Sequence, residues 1–253
     1  MQETTIIAAT GKGGVGKTSI CAAMVRLLVE KHPEARILAI DADPAVGLAA
    51  GLGVKVDSTL DDIRRRIVES VEQGETKEAV ELLGEARFQI FDTMKEQEGF
   101  SFLAIGRPES AGCYCKVNAY LREVISMLAK DFDYVVIDGE AGIEQINRRV
   151  MERVTHLLLV TDPSRKGVEV VRTIRKVAEE LVMYKSCGVI VNRVMNPSVM
   201  ELVDVSPMEV LAGIPADEAH AANEVRGLSV FELNQDAALL KGAEEALKKW
   251  EIL

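Results

Sequence analysis

The sequence predicts an α/β fold in which a doubly wound, mostly parallel sheet carries helices on both faces. Seven short apolar runs alternate with longer amphipathic stretches: TIIAA (5–9), RILAID (36–41), FSFLAIG (100–106), YVVID (134–138), HLLLVTD (156–162), GVIVN (188–192) and VLAGIP (210–215). Most of these runs are continuously apolar rather than alternating, as expected for strands that are covered on both faces. In addition, a glycine-rich segment at 11–18 connects the first predicted strand to the first predicted helix.

The stretches between the strands have helical periodicity. Two sets of residues each share one face of a helix: Ile20, Met24, Leu27 and Leu28, and then Leu121, Val124, Ile125 and Leu128. Residues 57–99 are charge-rich and hold too few apolar residues for a core of their own. We therefore expect a single domain over 1–253 with an insertion of exposed helices at about 57–99. Its basic run, 64–66, is flanked by acidic residues and is predicted to be a solvated face.

Composition limits the classes of function. The chain has 253 residues, 48% of them hydrophobic, which is enough for one sizeable core. Its net charge of -10 disfavours a nucleic-acid partner. Four cysteines are too few for a disulfide scaffold. No apolar run approaches the ~18 residues of a membrane span, and the N-terminus lacks the pattern of a secretory signal. We expect a soluble, cytoplasmic protein with reduced thiols and no membrane partner.

The glycine-rich segment GKGGVGKT (11–18) matches the phosphate-loop pattern G-x-x-x-x-G-K-[ST] in its expected place after a strand. The glycines let backbone N–H groups approach phosphate oxygens, and the helix N-terminus adds partial positive charge. Lys17 is predicted to reach the β- and γ-phosphates, and the Thr18 hydroxyl to hold Mg²⁺. The predicted nucleotide-binding residues of this loop are Gly11, Lys12, Gly13, Gly14, Val15, Gly16, Lys17, Thr18 and Ser19.

Lys12 makes this loop unusual, because it places a second positive charge close to Lys17. Repulsion between the two lysines is relieved only where a polyphosphate is present. With this feature the sequence resembles the deviant Walker A family, which includes the MinD/ParA ATPases, the nitrogenase iron protein and metallocentre-assembly ATPases. The resemblance implies a catalytic role for Lys12 in a nucleotide-sandwich homodimer, where it acts in trans on the partner's ATP.

The same resemblance implies roles for two aspartates. Asp43 in DADPA (41–45) would position the attacking water near the γ-phosphate and Mg²⁺. Asp138 ends the apolar strand of DYVVIDGEAGIE (133–144) and would hold the Mg²⁺ shell through water. Behind it, Gly142 could bring a backbone N–H to the γ-phosphate. Phosphoryl transfer requires positioning and neutralisation of charge rather than a covalent nucleophile.

Two further segments resemble the base-binding elements of this family. Asn192 in VNRV (191–194) would read the adenine edge. A loop from Pro215 to Asp217 would cover the base.

Cys113 and Cys115 lie in SAGCYCKVNAYLREV (110–124), at the start of a predicted helix. In an extended segment, residues i and i+2 point to the same side. A tetrahedral thiolate site needs four ligands, and this pair supplies two. Cys21 and Cys187 are predicted to be small core residues. The site is therefore either open or completed by a second chain, and the implied dimer would provide four thiolates about its axis.

The segments around C-Y-C and E-A-G-I-E resemble nickel-insertion accessory ATPases of the CooC type, which serve carbon monoxide dehydrogenase and acetyl-CoA synthase. The resemblance implies an ATPase that carries nickel to one of these apo-enzymes, with ATP and Mg²⁺ in the phosphate loop. Ni²⁺ or Zn²⁺ would occupy the site between the subunits, and the sequence leaves that choice and the client open.

Two other functions stay open. A spatial regulator of the MinD/ParA kind needs a basic amphipathic helix or a basic surface, and the C-terminal EEALKKWEIL is short and mixed in charge. An iron–sulfur ATPase resembling the nitrogenase iron protein would also use four bridging thiolates, but its two ligands per chain lie far apart in sequence.

Overall fold

The computed structural model describes residues 3–43, 45–74, 76–106, 115–139, 150 and 153–253. These residues contain eight strands: β1 (Thr5–Gly11), β2 (Ile37–Asp41), β3 (Lys95–Gln97), β4 (Phe100–Ala104), β5 (Tyr134–Asp138), β6 (His156–Thr161), β7 (Ser186–Val194) and β8 (Glu209–Pro215). The strands form one sheet in the order β3-β4-β2-β5-β1-β6-β7-β8.

Every strand pair in the sheet is parallel except β3 with β4. Each of the seven predicted runs corresponds to one of the seven parallel strands. The short antiparallel strand β3 was not predicted, because Lys-Glu-Gln carries neither an apolar run nor an alternation of apolar residues.

The described helices are α1 (Lys17–Lys31), α2 (Gly47–Leu52), α3 (Leu60–Glu72), α4 (Thr76–Thr93), α5 (Cys115–Leu128), α6 (Arg165–Leu181), α7 (Pro197–Met200), α8 (Glu218–Arg226) and α9 (Ala238–Lys249). Two hydrophobic clusters lie on opposite faces of the sheet, one beneath α1, α2 and α9 and the other beneath α3, α4, α5 and α6. Adjacent β1 residues show the two faces, since Ile7 belongs to the first cluster and Ala8 to the second. The doubly wound α/β fold is therefore confirmed.

Both predicted helical faces are buried. In α1 and α5 every residue of the two predicted sets belongs to the hydrophobic core. The helix α9 also packs its apolar face against the body, with Leu239, Leu240 and Leu247 buried beside α1 and β8. No helix among the described residues has the length and apolar character needed to cross a membrane.

The prediction of exposed helices at 57–99 is wrong for α3. Leu60, Ile63 and Ile67 are buried in the core cluster shared with α5. Their spacing makes a narrow apolar stripe that is sufficient to cover part of the core, although the surrounding sequence is highly charged. Arg64 is buried with it, because its Nε pairs with Asp61 Oδ1 at 2.7 Å. The basic run is therefore only partly solvated, and we interpret the insertion as part of the same body.

Candidate nucleotide-binding site

The predicted phosphate loop begins at the centre of the sheet, where β1 lies between β5 and β6. In the register of the parallel strands, Ala9 lies opposite Asp138, and Asp138 lies opposite Asp41. Asp138 at the end of β5 and Asp41 at the end of β2 thus lie on the same side of the loop. Ligands of open α/β sheets bind at this carboxyl edge, so the topology assembles the predicted site.

Glycines allow the backbone path of the loop. Gly14 and Gly16 have φ of 74° and 89°, in the left-handed region that other residues adopt rarely. A side chain at Gly16 would come within 2.6 Å of Asn192 Nδ2. The helix α1 starts immediately afterwards at Lys17, so its first N–H groups point toward the loop.

Lys17 is buried and folds back across its own loop, where Nζ donates to the carbonyl oxygen of Lys12 at 3.3 Å. The next two residues, Thr18 and Ser19, are partly accessible. Ser19 Oγ donates to Glu224 Oε1 at 3.2 Å, which brings α8 to the edge of the loop. The segment 214–227 resembles a base-binding element of the family, but this particular contact of Glu224 with Ser19 was not predicted.

Asp138 is fully buried, and neither of its carboxylate oxygens has a hydrogen-bond partner. Burial raises its pKa to about 6, and the nearby Thr18 hydroxyl and Lys17 ammonium only partly offset that rise. An unsatisfied buried carboxylate beside a threonine hydroxyl fits a hard divalent cation, which would stabilise its charged form. The residues present are therefore compatible with Mg²⁺ held by Thr18 and, through water, by Asp138.

Asp41 is a second buried acid that sequence reasoning missed, although it visibly ends a strand. Its Oδ2 accepts from the backbone N–H groups of Leu48 at 2.8 Å and Ala49 at 3.4 Å, and so holds the start of α2. Burial and the charge of Asp138 raise the pKa of Asp41 to about 7. Asp41 therefore fixes the loop that carries Asp43.

Asp43 is half-buried on the loop between β2 and α2. Its backbone N–H donates to Asp41 Oδ1 at 3.1 Å, and its own Oδ1 accepts from the N–H of Ala45 at 2.8 Å. Among the residues that the structure describes, no hydrogen bond to the other carboxylate oxygen, Oδ2, is seen. The role of Asp43 in positioning water stays a prediction.

The expectation that only a polyphosphate offsets the positive charge of Lys12 is wrong, because the chain itself supplies a carboxylate. The Lys12 Nζ lies 2.6 Å from Asp162 Oδ2, directly after β6. Burial acts to raise the pKa of Asp162, but hydrogen bonds from Lys12 and Ser164 outweigh it and leave the pKa below its usual value. Asp162 was visible in the sequence as a strand-end aspartate, but only the pairing of β1 with β6 brings it to the loop.

Asn192 contacts the phosphate loop from β7. Its Nδ2 donates to the carbonyl oxygen of Val15 at 2.7 Å, and its Oδ1 accepts from the N–H of Arg193 at 2.9 Å. This contact gives Asn192 a positioning role in the loop. Its predicted reading of adenine stays a prediction.

We predict that Asn192→Ala weakens binding of inorganic tripolyphosphate, which has no base, as well as ATP. Loss of the buried hydrogen bond to Val15 should reduce both affinities about fivefold to tenfold, which corresponds to about 1–1.5 kcal/mol. Calorimetric titration with each ligand measures this. Weaker ATP binding with unchanged tripolyphosphate binding would assign Asn192 to the base alone.

Pro215 ends β8 and is exposed, whereas Asp217 caps two helices. Asp217 Oδ1 accepts from the N–H of His220 in α8, and its Oδ2 accepts from the N–H of Leu239 in α9, both at 3.0 Å. The Asp217 carboxylate therefore links the starts of α8 and α9 and fixes the loop between β8 and α8. Coverage of the base by this loop stays a prediction.

The predicted metal ligand Cys113 and the segment around Gly142 lie outside the described residues. Cys115 is the first residue of α5, so the helix begins where the sequence predicts it, and the pairing of Cys115 with Cys113 stays a prediction. Burial raises the pKa of Cys21 well above its usual value and that of Cys187 to about 11. Neither is suited to be a thiolate ligand. Within the described ranges, no three His, Cys, Asp or Glu side chains group as a metal site.

The parallel sheet and the glycine loop at its carboxyl edge define a P-loop nucleotide-binding protein. The chain belongs to the CobQ/CobB/MinD/ParA nucleotide-binding domain family, whose model matches residues 6–230. It is therefore a P-loop ATPase.

Individual proteins agree with this assignment. An uncharacterized ATP-binding protein of Methanocaldococcus jannaschii is 37% identical over 249 residues, which cover 96% of this chain and 97% of that protein. The carbon monoxide dehydrogenase accessory protein CooC of Rhodospirillum rubrum is 31% identical over 239 residues, 90% of each chain. The Mg-ADP complex of the septum site-determining protein MinD of Pyrococcus horikoshii is similar in fold, with a TM-score of 0.69, 22% identity and coverage of 98% of this chain and 96% of that chain.

Proposed function

We propose that this ATPase is a nickel metallochaperone that delivers Ni²⁺ to apo carbon monoxide dehydrogenase or acetyl-CoA synthase. The similarity to CooC over 90% of both chains carries the proposal. The pair Cys113 and Cys115 supports it, because C-x-C ahead of a helix is what the resemblance associates with metal delivery. A purely nucleotide-dependent switch has no evident use for this pair.

The proposed working unit is a homodimer. Each chain contributes two thiolates, so two chains complete a four-sulfur site that suits square-planar Ni²⁺ or tetrahedral Zn²⁺. Lys12 of each chain would act on the nucleotide of the other. The cysteine pair and Lys12 therefore both require a second chain related by a two-fold axis.

ATP hydrolysis would proceed by positioning and charge neutralisation. Lys17 neutralises the β- and γ-phosphates from within the loop, and Asp43 orients the attacking water for in-line displacement. Asp138 and Thr18 would hold Mg²⁺, which would supply neutralisation of the charge that develops on the phosphate oxygens. Asp41 accepts hydrogen bonds from the backbone of both Asp43 and Leu48, and so fixes the position of the loop that carries Asp43.

Metal and nucleotide would be coupled through the dimer. Both ligands favour the closed dimer, because each site is complete only when two chains meet. By linkage, each then raises the affinity for the other, and hydrolysis of ATP lowers retention of the metal. Ni²⁺ is thus the cargo, and ATP controls when it is released.

The helix α9 does not support the alternative function of a spatial regulator that binds a membrane through an amphipathic helix. The apolar face of α9 is packed against α1 and β8 and is not presented to an external surface. The likeness to solved MinD and ParA structures at 18–24% identity concerns the fold alone.

A transfer assay tests the proposal. We predict that the nickel-loaded protein activates an apo client in the presence of ATP, and that Asp43→Ala binds ATP and nickel but transfers at least about tenfold less nickel, because it does not hydrolyse. Zinc-loaded protein is the control. Activation by free Ni²⁺ that equals activation by the loaded protein, for both clients, would contradict the metallochaperone function.

A further inference from the structure

The ion pair between Lys12 and Asp162 joins two neighbouring strand ends of one subunit. Lys12 follows β1, and Asp162 follows the adjacent parallel strand β6. The 2.6 Å contact lies in a partly sheltered position, where the Lys12 and Asp162 side chains are 30% and 25% exposed. Partial shelter reduces solvent screening, so the pair is stronger than a fully exposed one.

Asp162 is fixed in place independently of Lys12. Its Oδ1 accepts from the backbone N–H of Ser164 at 3.2 Å and also from the Ser164 hydroxyl. Ser164 in turn caps α6, by accepting from the N–H of Gly167 at 3.0 Å. A side chain at Gly167 would collide with Asp162 Oδ1. The carboxylate is therefore built into the start of α6, and its Oδ2 is the oxygen that meets Lys12.

The charge balance around the loop explains why such an acceptor is needed. Lys12 and Lys17 lie on the same loop, and the Lys17 ammonium is 3.3 Å from the carbonyl oxygen of Lys12. Asp162 provides a negative partner for Lys12 on the side of β6. The contact with Asp162 engages one of the three N–H donors of Lys12 and holds the ammonium on the β6 side of its own loop. Movement of Lys12 toward an anion on another chain therefore weakens or breaks this ion pair.

We propose that Asp162 is a positioning residue that holds Lys12 within its own subunit until a partner's triphosphate competes for it. The inference rests on the proposed action of Lys12 in trans. In this arrangement the Lys12–Asp162 ion pair opposes dimerisation unless the nucleotide of the other chain supplies more negative charge than the carboxylate. Asp162 thereby makes closure of the dimer depend on the γ-phosphate.

Asp162→Asn should tighten the dimer. The substitution keeps the shape and the bonds from Ser164 but removes the charge that retains Lys12. A partly exposed ion pair of this kind accounts for about a threefold effect, and two pairs open per dimer, so the dimerisation constant should rise about tenfold. The rise should be seen both with a non-hydrolysable ATP analogue and with ADP, because in each case Lys12 no longer has to leave a carboxylate of its own subunit.

Sedimentation of the full chain with each nucleotide tests the inference by comparing Asp162→Asn, Lys12→Gln and the double variant. The expected results are a tighter dimer for Asp162→Asn, a weaker one for Lys12→Gln, and no further change when Asp162→Asn is added to Lys12→Gln. Asp204→Asn is the matched control, because it removes the same charge from an exposed pair with Arg172 and should leave the dimer unchanged.

The outcomes distinguish a failure of the proposed trans role of Lys12 from a failure of the proposed role of Asp162. If Lys12→Gln dimerises normally, the trans role in the proposed function fails. If Lys12→Gln weakens the dimer but Asp162→Asn leaves it unchanged or weakens it, the trans role stands and the inference about Asp162 is overturned. An equal effect of Asp162→Asn with and without Lys12 would also overturn it, because the carboxylate would then act through other groups.

Discussion

Replacing Lys17 with alanine is expected to abolish ATP turnover, with a loss of at least about 10³-fold in the rate of phosphate release. The reason is the position of its ammonium, which is buried within the loop and donates to the backbone of Lys12. Removal takes away the main positive charge that the chain itself places on the β- and γ-phosphates. Lys12 of the same chain does not replace it, because the Lys12 ammonium is paired with Asp162.

The matched control is Lys31→Ala, at the opposite end of the same helix. Lys31 is about half exposed and forms only a long contact of 3.7 Å with Glu244. Its removal should leave phosphate release unchanged, and circular dichroism should show that both variants keep the fold. Turnover by Lys17→Ala within tenfold of the natural protein would contradict the assignment of this loop as the catalytic phosphate site.

Changing either Cys113 or Cys115 to serine is expected to collapse metal binding rather than halve it. In a shared site the symmetry of the dimer doubles each substitution, so two of four ligands are lost at once. Substitutions in the outer shell of metal sites already cost about 10–100-fold in affinity, so the loss here should exceed about 100-fold. Titration with Ni²⁺ against a competing chelator measures it, and ATP binding by the same variants should be retained.

Cys187→Ser is the matched control for this experiment. The Cys187 thiol is half-buried on β7, and burial raises its pKa to about 11, so it is a poor thiolate ligand. Metal binding should be unchanged by this substitution. A reduction to one half in either Cys113→Ser or Cys115→Ser would instead indicate separate sites in each subunit, and an unchanged affinity would remove the pair from the metal site.

The parallel strands and the helical faces could be predicted because burial on both sides of a sheet leaves continuous apolar runs in the sequence. The loop at 11–18 could be predicted because its glycines and lysine have the fixed spacing of a phosphate-binding loop. Strand β3 could not, since its pairing depends on the neighbouring β4 and leaves no apolar pattern. The burial of α3 was missed because its narrow apolar stripe lies among many charged residues.

Contacts between segments distant in sequence were also beyond sequence reasoning. Asp162 reaches Lys12 across 150 positions, and Asn192 reaches Val15 across 177. Both contacts follow from the strand order, which places β6 beside β1 and β7 beside β6. The sequence shows that Asp162 and Asn192 lie at strand ends, but only the strand order determines which residues they contact.

A four-thiolate metal site shared by two chains is the feature that would distinguish a metallochaperone from other ATPases of this family. Metal titration of the full chain, combined with X-ray absorption at the nickel edge, tests it most directly. We predict one Ni²⁺ per two chains, a first shell of four sulfur atoms, and dimerisation promoted by the metal. A stoichiometry of one metal per chain, or a first shell dominated by nitrogen or oxygen, would contradict the shared site.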